Sequence, residues 1–170
     1  MGPWDAQALR SPDCKNEILV HHGQPYGSPR GLPPFCTPSP SSQYLTIYSY
    51  RGFVHLPDFL GQQAPLLRSL TFDGIHPGFE SHLPLSSLIE FNLSLLKGAI
   101  PLRVGALFRF LSNCSSLRNV RIESKEMAQE TTLDRVISLG SLVELNDTWS
   151  SVGRIVPFLR LPRLKRLLAS

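Results

Sequence analysis

PLLRSLTFDGI, Pro65 to Ile75, carries two apolar spacings in one short segment. Leu67 is followed three residues on by Leu70, and Leu70 two residues on by Phe72. A helix buries one face by spacings of three and four, and a strand by a spacing of two. The segment therefore enters a strand at its second leucine, and Asp73-Gly74 offers a turn directly after it.

The frame Leu-x-x-Leu-x-Leu, moved along the chain, recurs. It is met by Leu67, Leu70, Phe72; by Leu88, Phe91, Leu93; and by Leu117, Val120, Ile122. Weaker copies are Ser42, Leu45, Ile47 and Leu142, Leu145, Asp147, and a last one is Leu164, Leu167, Ala169. The central residues 45, 70, 91, 120, 145 and 167 are separated by 25, 21, 29, 25 and 22 residues, a mean of about 24. A period of about 20–29 residues with this frame is the signature of leucine-rich repeats.

Each frame predicts a short strand, and the chain between frames must return to start the next. Val104, Leu107, Phe108 and Leu111 share a helix face, with Arg103 and Arg109 turned away. Val152, Ile155, Val156 and Leu159 repeat that spacing, but Pro157 would kink or delay the helix. Short helices are also expected over 57–63, opened by Pro57, and around Leu133, Val136 and Ile137 after a threonine cap. Pro65 and Pro162, two residues before a frame leucine, are expected to end a helix and extend the chain. The fold class expected is α/β: a leucine-rich-repeat solenoid of about six irregular repeats, with a parallel sheet on its concave side and short helices on its convex side. No single coil can bury its own apolar face, so neighbours bury one another's.

Two regions follow. Residues 1–40 are dense in Pro, Gly and Ser, lack an apolar period, and read as a disordered segment. Residues 41–170 carry the frames. Both ends of the repeat region look bare, without a polar capping element, which predicts part of a longer protein or a truncated gene product.

At 170 residues, 42% hydrophobic and 18% charged, the chain can fold around a core. Three cysteines without a repeated spacing, Cys14, Cys36 and Cys114, suggest reduced thiols rather than a disulfide framework. The N-terminal stretch is not a secretory signal, and no apolar run has membrane-spanning length. An intracellular setting, cytoplasmic or nuclear, is the expectation, and the sequons at Asn92, Asn113 and Asn146 then read as chance. Net charge is +4. After Asp147 only basic charges follow, at Arg154, Arg160, Arg163, Lys165 and Arg166. Such a run is usually a solvated face, and its functional alternative is a patch for nucleic acid or an acidic partner.

The phrases APLLRSLTFDGI, LPLSSLIEFNLSLL, LFRFLSNCSSLRNVRIES and IVPFLRLPRLKRL resemble the irregular leucine-rich repeats of fungal F-box proteins, particularly the expanded mushroom sets, over roughly Ser41 to Ser170. In that family an F-box docks an adaptor of a cullin-type ubiquitin ligase, and the repeats present a surface to a target. Here residues 1–40 hold no Leu-Pro-x-Glu helix pattern, so the adaptor is implied as a partner only if an F-box is supplied upstream. The usual asparagine after each strand frame is also absent, with Tyr50, Ile75, Leu96 and Lys125 in that slot.

Outward residues of successive strands should align into rows. The first holds Tyr44, Ser69, Glu90, Asn119, Glu144 and Arg166. The second holds Thr46, Thr71, Asn92, Arg121, Asn146 and Leu168, and the third Tyr48, Asp73, Ser94, Glu123, Thr148 and Ser170. Interface hot spots favour Tyr, Trp and Arg. The candidate protein-binding residues are Tyr44, Thr46, Tyr48, Thr71, Asp73, Glu90, Asn92, Arg121, Glu123 and Trp149; the plainer alternative is a solvated sheet face. No phosphate loop, nucleophile elbow or metalloprotease helix is present. His21 and His22 with Cys14 and Cys36 fit no zinc-ligand spacing. His55, His76 and His82 are isolated. The Glu123, Glu126, Glu130 and Asp134 series alternates with Lys125 and Arg135, as a solvated face does. The expectation is a non-enzymatic protein-interaction module without cofactor or metal, whose target protein is unknown, with no membrane partner. A nucleic-acid-binding fragment using the basic C-terminus and a degenerate gene fragment are the alternatives.

Overall fold

A computed structural model describes residues 15–19, 42–48, 53–55, 65–74, 76–78, 85–95, 104–124, 136–148 and 156–169. The chain is α/β. Its main element is a parallel sheet built from β1 (Lys15–Leu19), β2 (Tyr44–Tyr48), β4 (Ser69–Asp73), β6 (Glu90–Leu95), β7 (Asn119–Ser124), β9 (Glu144–Asp147) and β11 (Arg166–Ala169), side by side in that order. Two minor parallel pairs lie between these strands in sequence. One joins β3 (Phe53–His55) to β5 (His76–Gly78), and the other joins β8 (Ile137–Ser138) to β10 (Leu159–Arg160). The helix α1 (Val104–Ser112) precedes β7, and a 3-10 turn spans Val156–Phe158.

The frame residues are where their spacing puts them. Leu45 pairs in register with Leu70, Leu70 with Phe91, Phe91 with Val120 and Val120 with Leu145. All five are buried, as are the frame-opening leucines Leu67, Leu88, Leu117 and Leu142. Ser42, the weak opening position, is only 3% exposed, so it occupies a leucine's place. Asp147, the polar closing position, is 1% exposed and pairs in register with Ile122.

A repeated turn feeds these strands. The N–H of four frame-opening leucines donates to the carbonyl three residues back: Leu88 to Leu85 (3.1 Å), Leu117 to Cys114 (3.1 Å), Leu142 to Leu139 (3.3 Å) and Leu164 to Leu161 (3.2 Å). The first central residues of these turns are Ser86, Ser115, Gly140 and Pro162, and Pro65 occupies the matching place before Leu67. Proline there has its φ preset for a β-turn. Pro65 and Pro162 thus stand in the turn itself; Pro162 follows β10 rather than a helix, and the residues just before Pro65 lie outside the described residues.

α1 fits its predicted face. Val104, Leu107, Phe108 and Leu111 are buried together with Phe110, and Arg109 is exposed. Its last turn is closed by Asn113 N–H to Phe110 O and Cys114 N–H to Leu111 O, both 3.1 Å, bonds that satisfy carbonyls the helix would otherwise leave open. α1 and the apolar side of the sheet share one core, with Ile137 of β8 buried in it.

Three expectations change. The expected helix around Ile137 is instead strand β8, in which β-branched Ile137 pairs with Leu159. Of the helix expected over 152–159, the described residues hold only the 3-10 turn Val156–Phe158, with Pro157 inside it, and the start of β10 at Leu159. The sheet also begins earlier than residue 41: β1 pairs with β2, with Asn16 opposite Leu45 and Ile18 opposite Ile47. A polar asparagine at the central frame position, and Asp13 where a leucine would open the frame, hide this strand from an apolar search. The segment 57–63 and the remainder of 1–40 lie outside the described residues.

Candidate functional site

The alternation that buries one side of each strand exposes the other. Pairing in register brings Tyr44, Ser69, Glu90, Asn119, Glu144 and Arg166 into one row. Thr46, Thr71, Asn92, Arg121, Asn146 and Leu168 form the second. Tyr48, Asp73, Ser94 and Glu123 form the third. β1 extends the rows by one strand, with Lys15 at the register of Tyr44, Glu17 at that of Thr46 and Leu19 at that of Tyr48.

Side chains are tied both along and across the rows. Ser69 Oγ donates to Glu90 Oε2 (3.2 Å). Asn92 Nδ2 contacts both Thr71 Oγ1 (3.3 Å) and Glu90 Oε1 (3.2 Å). Arg121 Nε donates to Glu123 Oε1 (2.7 Å), and Arg166 Nη1 lies 3.4 Å from Glu144 Oε1. These links join outward side chains of β4 to β6 and of β9 to β11, and successive outward positions within β6 and β7.

The rows line an open depression of about 510 Å³. Of the candidates, Tyr48, Thr71, Asp73, Glu90, Asn92, Arg121 and Glu123 line it; Ser94, Asn119, Glu144 and Asn146 join them. Tyr44, 42% exposed, and Thr46 stand on the same face without lining the depression. Trp149 lies outside the described residues, as do Cys14, His21, His22, Cys36 and His82. Four carboxylates, of Asp73, Glu90, Glu123 and Glu144, face one guanidinium, that of Arg121, so the depression is acidic.

A second groove, about 560 Å³, runs along the rim where the strands begin. Its lining includes Arg68, Arg118 and Arg163 with Ser87, Ser115, Ser116 and Ser141, and no carboxylate among the described residues. Its residues precede the strands and so do not belong to the outward strand positions. The signal was present one residue in front of each strand, where Arg68, Ile89, Arg118, Val143 and Lys165 follow one another.

Cys114 is buried beneath the turn that follows α1. Burial pushes its thiol up from 9.0 to about 12, against a smaller lowering by the Leu85 backbone. Its Sγ lies 3.6 Å from Phe110 O. A thiol so held is a packing group rather than a nucleophile. Among the described residues no group of three His, Cys, Asp or Glu side chains could hold a metal ion, and no helix is long and apolar enough to cross a membrane.

No protein-family model matches the chain, and neither a curated protein nor a solved structure matches it.

Proposed function

We propose that the chain is a leucine-rich-repeat solenoid acting as a non-enzymatic protein-interaction module, with the polar sheet face as its concave binding surface. One observation carries the reading: polar side chains from adjacent strands align in register around an open depression. A face built only to be solvated needs neither these side-chain hydrogen bonds nor the hollow. The repeated turns and the in-register frame residues support the solenoid. The resemblance to mushroom F-box proteins adds a role: the substrate-recognition portion of a ubiquitin-ligase receptor. The excess of carboxylates favours a target presenting lysine, arginine or amide donors.

The test compares proteins captured by the native chain with those captured by a Tyr48→Ala/Asn92→Ala/Arg121→Glu variant of unchanged circular dichroism. Selective loss of a partner that also binds the purified native chain supports this face. An unchanged set of bound partners assigns binding elsewhere.

A further inference from the structure

The basic rim groove has a different chemistry from the polar face and does not depend on it. Its backbone is a hydrogen-bonded row. Arg68 N–H donates to Gln43 O (2.7 Å), Ile89 to Arg68 O (2.8 Å), Arg118 to Ile89 O (2.8 Å), Val143 to Arg118 O (2.8 Å) and Lys165 to Val143 O (2.9 Å). Each accepting carbonyl is also bonded by the next N–H along, from Ser69, Glu90, Asn119, Glu144 and Arg166. The row is therefore held at strand spacing, about 4.8 Å per step.

Its side chains alternate basic and apolar: Arg68, Ile89, Arg118, Val143, Lys165. Arg68 and Arg118 stand two steps apart, about 10 Å. Arg163 enters from the turn before β11, two strands beyond β7. The polar face neutralises its arginines internally, Arg121 with Glu123 and Arg166 with Glu144. Among the described residues Arg68, Arg118 and Arg163 have no ion-pair partner. Leu66, 52% exposed, adds an apolar contact at the same groove.

We propose that this groove binds an acidic peptide segment of a partner protein, laid along the rim in extended form. In a polyproline-II chain three residues complete one turn and span about 9–10 Å, so carboxylates at every third position return to the side that meets the arginines. Apolar residues between them meet Ile89 and Val143, and the hydroxyls of Ser87, Ser115 and Ser116 accept or donate to the peptide backbone, while that of Ser141, which donates to Ser115 O, can accept from it. Single-stranded nucleic acid fits less well. Such sites combine basic grooves with aromatic stacking platforms, and no aromatic side chain lines this groove among the described residues.

The experiment titrates the full chain into a labelled synthetic peptide with aspartate at every third position and leucine between. A single-stranded oligonucleotide of equal charge is titrated in parallel, and sedimentation velocity is run on the chain alone. The expected result is peptide binding that weakens with salt and falls by about tenfold or more in Arg68→Glu/Arg118→Glu. Arg121→Glu on the polar face should leave it unchanged, which separates failure here from failure of the polar-face reading. Arg68→Gln/Arg118→Gln replaces the reversal if that variant loses its circular dichroism. The proposal is overturned by absent peptide binding, by affinity indifferent to either double substitution, or by tighter binding of the oligonucleotide. It is equally overturned by self-association dispersed by the same substitutions, which would make a second copy's acidic face the occupant.

Discussion

The ring of Phe91 in β6 lies 5.8 Å from that of Phe110 in α1, with the ring planes at 59°. Phe91 also meets Phe72 in β4, at 6.1 Å and 55°. Both are tilted contacts, an arrangement aromatic quadrupoles favour. Phe91 thus ties two strands to the helix that covers them. Phe91→Ala should cost about 3–5 kcal/mol in urea unfolding, because neighbours anchored in separate elements cannot collapse into the space. Phe91→Leu should cost less than half of that. Equal losses would mean that the ring contacts, rather than the buried volume, set the cost.

Leu145 and Leu167 hold the same frame position on neighbouring strands, yet they are 1% and 44% exposed. Leu145→Ala should destabilise the protein by about 2–5 kcal/mol, and Leu167→Ala by less than about 1 kcal/mol. Leu168, 47% exposed, places a second leucine on β11. Leu167→Lys/Leu168→Lys should reduce any concentration-dependent light scattering, since charge on an outer strand opposes edge pairing. Scattering that is unaffected would place the sticky surface elsewhere.

Gly74 follows β4 at φ 72°, and its N–H donates to Ser94 O at 2.8 Å. A Cβ disfavours this left-handed conformation by about 1–2 kcal/mol. Gly74→Ala should lower the chemical-denaturation midpoint by that equivalent, and Gly74→Asn by less. No difference between the two would show that the turn relaxes.

Cys114 supplies a pH dependence with a definite sign. Its thiol titrates near 9.0 when exposed and near 12 when folded, so alkali removes the proton first from unfolded chains. Stability from this group is complete below about pH 8.5 and declines as pH rises toward 12. Thermal melts between pH 8 and 10.5 should show a steeper decline for the native chain than for Cys114→Ala. In a Cys14→Ser/Cys36→Ser background, thiol reagents should label Cys114 only as fast as the fold opens. Rapid labelling at neutral pH would contradict its burial.

The frames legible in the chain placed β2, β4, β6, β7, β9 and β11, the face of α1 and the rows of outward residues. They could do so because inward and outward positions follow from alternation, a property of adjacent residues. Three features were not legible. β1 carries Asn16 where other strands carry an apolar residue, so its strand exists through pairing with β2. Ile137 joins a strand because Leu159, 22 residues later, lies beside it. The turn that precedes the strands was not legible, because Ser86, Ser115, Gly140 and Pro162 share no residue type, and their likeness lies in the backbone hydrogen bond that closes each turn.

Sequence by itself determined which side of β2, β4, β6, β7 and β9 is buried, since period-two alternation leaves only one face able to shed water. Only the tertiary structure decided that Arg68, Arg118 and Arg163 share a groove, and that four carboxylates gather around Arg121 in a hollow. Such groupings depend on the lateral register of strands 21 to 29 residues apart, which is set by packing and backbone hydrogen bonds between distant segments.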